Sequence, residues 1–197
     1  MLTINRKNRS NVGIVLRQAA WGVAMALLLA VASLPGCRNS MARGQAMRLF
    51  SSSFQDGSQI PAQFTCSGSG LSPQLAWNAP PAAAASFALI VTDPDAPQRT
   101  FTHWVIYDLP AETRDLNEGV PEIGRLPDGA LQGRNDFGEF GYGGPCPPPG
   151  SPHHYIFTLY ALDTKLNLPA GDKRAQVEAA MQGHILASCR LVGLFQR

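Results

Sequence analysis

The 197-residue chain is 45% hydrophobic and only 15% charged, with 19 glycines and 16 prolines, a balance that favours strands and loops over a helical bundle. Its formal charge of +2 is unevenly divided: Arg6, Lys7, Arg9 and Arg17 precede Cys37, whereas all 14 acidic residues follow it. The chain beyond Cys37 is therefore close to −2, and without a basic stripe interleaved with aromatics it offers no surface for nucleic acid.

Residues 1–18 are polar and basic and contain no acidic residue. Ala19 to Leu34 is an apolar run too short for a transmembrane span, and Leu34-Pro35-Gly36-Cys37 follows at once. That order predicts a secretory signal. Its end resembles the bacterial lipobox, in which the cysteine thiol is acylated and becomes the new N-terminus, with Pro35 where that motif has a small or β-branched residue. The expected organisation is a signal peptide over 1–37, lipidation at Cys37, a tether over 38–47 and one domain over 48–197. Arg38, in place of an acidic residue, favours the outer membrane under the enterobacterial sorting rule. The alternatives are an uncleaved membrane anchor and an ordinary signal cut nearby, which would leave a secreted protein.

In the remainder, Met47 to Phe54 is compatible with a first strand, and Gly57 and Pro61 bound a hairpin-like piece ending at Phe64-Thr65-Cys66. Ser67 to Gly70 reads as a loop and Leu75-Ala76-Trp77 as a short strand closed by Pro80-Pro81. The continuous apolar run Phe87 to Val91 is placed centrally in a sheet. Pro94 and Pro97 lack backbone donors, so Asp93-Pro94-Asp95-Ala96-Pro97 must be a stiff bend after that strand. Thr102 to Leu109 alternates, which puts His103, Val105 and Tyr107 on one face and Trp104 and Ile106 on the other. Residues 111–131 show turn signals and little periodicity. Gly133 to Pro152 is a long Gly/Pro-rich loop with aromatics, of the kind that carries function. His153 to Leu162 is another strand, with His153, Tyr155, Phe157 and Leu159 on one face and His154 on the other. Asp172 to Ser188 fits a helix with Val177, Met181, His184, Ile185 and Ser188 on one stripe, and Cys189 to Phe195 closes the chain as a strand.

Three chemistries fit the polar residues of these segments. A metal site from Asp93, His103 and His153 lacks any H-x-x-x-H or C-x-x-C spacing to pre-set its geometry. A serine hydrolase built on Ser67 or Ser69 lacks the G-x-S-x-G elbow. An anion pocket needs only imidazoles, a tyrosine hydroxyl and backbone N–H donors from a Gly-rich loop, and all are at hand. Binding without catalysis or cofactor is the reading the residues favour.

The run Asp93-Pro94-Asp95-Ala96-Pro97, then Thr102-His103-Trp104-Val105, Gly141-Tyr142-Gly143-Gly144-Pro145-Cys146-Pro147-Pro148 and His153-x-Tyr155 resembles the phosphatidylethanolamine-binding protein family. The bacterial branch described as Raf kinase inhibitor-like is the nearest. The likeness runs from about Phe50 to the C-terminus and includes Leu71 to Trp77, Gln132 to Gly138, Leu159 to Asp163 and Gly183 to Ala187. It implies a mostly β fold, an antiparallel β-sandwich with short peripheral helices and one C-terminal helix. It also implies a small pocket for phosphate-like groups, including phospholipid head groups. Carried over residue by residue, the pocket is Asp93, His103, Gly143, Gly144, Pro145, His153 and Tyr155, with Asp93 orienting a histidine and Asp95 serving as a turn or packing partner. His154 stands where the family has an arginine, which implies a lost or weakened ion pair, with Asp95 as its candidate partner. A protein-level inhibitor of a protease or kinase, acting on an unknown target through exposed loops, is the alternative function.

With Cys37 assigned to lipid, Cys66 and Cys146 flank the pocket loops and are candidates for a disulfide in an oxidising compartment, against three free thiols with Cys189. Cys189 is expected to be a buried free thiol at a helix-to-strand junction. His184 is expected to be buried and packed.

Overall fold

The computed structural model describes residues 46–197; the signal segment, Cys37 and the tether up to residue 45 lie outside the described residues. Two sheets carry the domain. The smaller has the order β1-β3-β6, from β1 (Arg48–Phe50), β3 (Leu75–Asn78) and β6 (Asp115–Leu116). The larger has the order β2-β9-β8-β4-β5-β7, from β2 (Ser58–Gln59), β4 (Ser86–Asp93), β5 (Phe101–Pro110), β7 (Leu131–Gln132), β8 (His153–Leu162) and β9 (Ile185–Phe195). All pairings are antiparallel except β2 with β9. The mostly β class with one C-terminal helix therefore stands.

The apolar run of β4 explains the layering. Phe87, Leu89 and Val91 point into the main core, where Leu49, Leu75 and Trp77 of the small sheet meet Trp104, Phe157 and Leu191 of the large one. Ala88 and Ile90 point the other way, into a second core with Val105, Tyr107, Val177 and Met181 beneath helix α1 (Arg174–Met181). Phe87 to Val91 is buried on both faces and so is continuously apolar, and each such large apolar side chain removed from water contributes about 1.5–3 kcal/mol.

Several expected boundaries move. The first strand covers only Arg48–Phe50, because Ser51 turns back to bond the Gln74 carbonyl. The hairpin-like piece after Gly57 is instead the short parallel strand β2 followed by a 3-10 turn over Ala62–Phe64. Within 111–131, β6 and β7 were not predicted; each is two residues long, too short for periodicity to register. The helix is the largest correction. It ends at Met181, Gly183 adopts φ +82°, and Ile185 already belongs to β9. The stripe through His184, Ile185 and Ser188 satisfied helical spacing, but β8 offers a full ladder from His153↔Phe195 to Leu162↔Ile185, and that pairing prevails over local pattern. His184 is consequently exposed rather than buried and bonds the Asp163 carboxylate at 2.8 Å. Cys189 lies in mid-strand, partly buried rather than buried at a junction, and desolvation pushes its thiol up to about 11.

Candidate functional site

The end of β4 and the start of β8 lie side by side, with Thr92 opposite Ile156. This brings Asp93 to His153 across the sheet, and His153 Nδ1–H donates to Asp93 Oδ2 at 2.7 Å. The other carboxylate oxygen of Asp93 accepts the backbone N–H of Asp95 at 2.8 Å, an Asx turn stiffened by Pro94 and Pro97. Asp93 is thus fully engaged in holding the bend and orienting the imidazole. Next along β8, His154 keeps a contact despite standing where the family has arginine. Its Nδ1 and its backbone N lie 2.7 and 2.8 Å from Asp95 Oδ2. These two bonds, the backbone one first, hold the Asp95 carboxyl below its ordinary range.

His103 arrives by a different device. The β4–β5 ladder steps from Val91↔Trp104 to Thr92↔Thr102, which leaves His103 as the extra residue of a β-bulge. Strict alternation groups His103 with Val105 and Tyr107. The bulge instead turns it to the opposite face, where its ring meets Tyr155 edge-on with centroids 5.1 Å apart. The loop before β8 then fixes it twice: Gly143 N–H donates to the His103 carbonyl at 2.8 Å, and His103 Nδ1–H donates to the Gly143 carbonyl at 2.6 Å.

Asp93, His103, His153 and Tyr155 together line a cavity of about 150 Å³. Gly143, Gly144 and Pro145 do not reach it. Gly143 holds His103, Gly144 packs against the Phe64–Thr65 backbone, and the Pro145 carbonyl accepts the Cys66 N–H at 3.0 Å. The wall from this loop is Cys146-Pro147-Pro148. Cys146 is bonded to Cys66, with Cα atoms 5.4 Å apart, so the loop is stapled to the 3-10 turn region. Sequence reasoning also missed Ala96, Pro97, Phe101 and Phe137, which complete the rim. Phe101 contacts both the His103 ring and Phe137, at 5.0 and 4.8 Å between centroids. Phe101 is two residues before His103 and Phe137 lies within the Gln132–Gly138 motif, so their positions carried a signal, although apolar side chains do not announce a polar site.

No lysine or arginine lines this cavity. Burial lowers the His103 pKa, against the raising effects of the Gly143 carbonyl and the Asp93 charge. Since both Nδ1 atoms donate to oxygen acceptors, neutral His103 and His153 each keep an unprotonated Nε2. The Tyr155 hydroxyl is buried without a hydrogen-bond partner, and burial followed by the Asp93 charge raises its pKa. The arrangement suits an oxyanion that brings a proton or induces its uptake by an imidazole. Neither Ser67 nor Ser69 lines the cavity, and Ser69 Oγ is bonded to the Gln63 carbonyl. Among the described residues, no three His, Cys, Asp or Glu side chains group so as to hold a metal ion.

Comparison with known proteins agrees with this geometry at the level of family. The family model described as phosphatidylethanolamine-binding protein matches residues 50–196. A UPF0098 protein of Methanothermobacter thermautotrophicus is 50% identical over 151 residues, covering 77% of this chain and 99% of that one. Escherichia coli YbhB, also a UPF0098 protein, is 40% identical over 157 residues, 76% of this chain and 99% of its own. Among solved structures, Escherichia coli YbcL, described as a new member of the mammalian PEBP family, aligns with a TM-score of 0.73 at 33% identity, covering 78% of this chain and 99% of that one. The Chlamydia trachomatis homologue CT736 aligns with a TM-score of 0.71 at 39% identity, covering 77% and 98%. The chain belongs to the phosphatidylethanolamine-binding protein family, in its bacterial YbhB-type branch.

Proposed function

We propose that this is an exported, lipid-anchored binding protein, without catalytic activity, whose pocket takes phosphate-like groups such as phospholipid head groups. The observation that carries the reading is the shared cavity of His103, His153 and the unpartnered Tyr155 hydroxyl. Three polar groups converge there, and two of them are preset by bonds to Gly143 and Asp93. A protonated phosphate oxygen can donate to one Nε2, while an imidazolium and the phenol donate to the others. The apolar rim of Phe101, Phe137 and Pro147 excludes water around the anion and so strengthens those bonds.

Export is supported by the basic-then-apolar N-terminal segment ending at Cys37, and by a disulfide that an oxidising compartment would maintain. In this reading the acylated Cys37 holds the domain at a membrane facing the periplasm, preferentially the outer one.

The test is an NMR titration of the full chain in uncharged detergent, following the imidazole signals of His103 and His153 as phosphate and then phosphoethanolamine are added near pH 7. Saturable shifts with a rise in both imidazole pKa values are expected. Unmoved signals at millimolar ligand would overturn the pocket and direct attention to partner binding through the loops.

A further inference from the structure

We propose a second anion site, for a phosphate dianion, free or esterified, in the cavity on the other side of the start of β5. Phe101 faces the first pocket, whereas Thr100 and Thr102 line this one, which has a volume of about 240 Å³. Four cations converge on it from three separate segments: Arg99 from the β4–β5 turn, Arg134 from the loop after β7, and Lys173 and Arg174 at the start of α1.

Charge accounting selects the ligand class. Asp136 and Glu178 also line the cavity, pairing with Arg99 at 3.2 Å and Arg174 at 2.7 Å. Two of the four cations are thereby neutralised, and the lining keeps an excess of two positive charges on Arg134 and Lys173. Neither of these has a carboxylate partner among the described residues; Arg134 lies over the Phe140 ring and donates to the Gly138 carbonyl. A dianion balances that excess, and the Arg134 guanidinium, which has no carboxylate partner among the described residues, offers a planar fork that matches phosphate oxygens while Lys173 adds a point charge. α1 begins with no side-chain cap and no acidic residue in its first turn, so two basic residues stand at the positive end of the helix. Such a conflict between local rule and sequence is characteristic of a binding site. Thr100 and Thr102 add hydroxyl donors at the wall.

This site is independent of the first pocket, and the experiment separates the two. Backbone amide NMR of the full chain in uncharged detergent would follow Arg174 and Ala175 during titration with inorganic phosphate and, separately, with glycerol 3-phosphate as the soluble form of a head group. Both amides should shift saturably, and should do so equally in a His103→Gln/His153→Gln variant. Combining Lys173→Glu with Arg134→Glu should weaken the site by about tenfold or more, and the single Lys173→Ala change at an exposed position guards against misfolding. Glycerol 3-phosphate binding at least as well as inorganic phosphate assigns an esterified source; much weaker binding assigns free phosphate. Amides that stay still, or charge reversal without effect in a folded variant, would overturn the site while leaving the His103–His153 reading intact.

Discussion

His103 shows how one buried residue links pH to both stability and binding. Its pKa is lowered in the fold, first by desolvation, so the folded state binds fewer protons than the unfolded chain once pH falls below the ordinary histidine value of about 6.5. The stability associated with its neutral form is therefore fully present above that value and is lost as pH falls from there toward the lowered value. Urea unfolding at several pH values between 7.5 and 5 should show this loss in the ligand-free protein. A His103→Gln variant, which can still donate to the Gly143 carbonyl, should have a flatter profile. Parallel profiles would show that the ring titrates as freely folded as unfolded. If the pocket binds phosphate as proposed, saturating ligand should oppose the loss, because an anion favours the imidazolium.

At the level of elements, the pocket depends on how the Gly143–Pro148 loop is seated. A Cβ on Gly144 would come within 3.0 Å of the Phe64 carbonyl oxygen and 3.2 Å of the Thr65 Cα, both backbone atoms that cannot swing aside. A Cβ on Gly143 would meet the Phe137 ring at 2.5 Å, but Phe137 is half exposed and can rotate outward. Gly144→Ala should therefore destabilise the domain by roughly 1–3 kcal/mol, as overpacking does. Gly143→Ala should leave stability nearly unchanged while opening the rim of the pocket. Thermal melts of the two variants measure the first contrast, and equal melting losses would contradict it; if the pocket binds phosphate as proposed, phosphate affinity measures the second. The same loop shows what was legible beforehand. The long strands were found because β4, β5 and β8 carry unbroken apolar or alternating patterns. His153 and Tyr155 shared a face as parity requires. His103 reached that face only through a bulge, which leaves no mark in the sequence, so strict alternation put it on the opposite face from His153 and Tyr155. Gly143, Gly144 and Pro145 were read as ligand contacts, yet none of them lines the cavity, because a motif identifies the loop without saying which of its atoms reaches it. The helix was overextended for a related reason: a stripe at helical spacing does not reveal that β8 needs a partner of its own length.

For the whole molecule, the decisive covalent link is Cys66–Cys146. It closes a segment with a sequence separation of 80, which contains β3 and β6 of the small sheet and β4, β5 and β7 of the large one. Chain-entropy arguments give a bridge of that span about 4.5 kcal/mol, acting through the unfolded state, with typical measured values of about 2–4 kcal/mol. In a domain of this size the corresponding fall in Tm is about 10 °C. The fold itself should survive, since neither core is built around the two sulfurs and the loop keeps the Tyr142 hydroxyl bond to the Phe64 carbonyl and the Arg197 bond to the Pro147 carbonyl. The pocket should be more sensitive than the fold, because Cys146 and the two prolines after it form one wall. The measurement is a pair of melts, with and without phosphate, on the wild-type chain and on Cys66→Ser/Cys146→Ser. If the pocket binds phosphate as proposed, a lowered Tm together with a smaller phosphate-induced rise would place the staple in both stability and binding. An unchanged Tm would mean that the unfolded chain is already compact across this span, so that hydrogen bonds, and not the disulfide, keep the loop over the histidines.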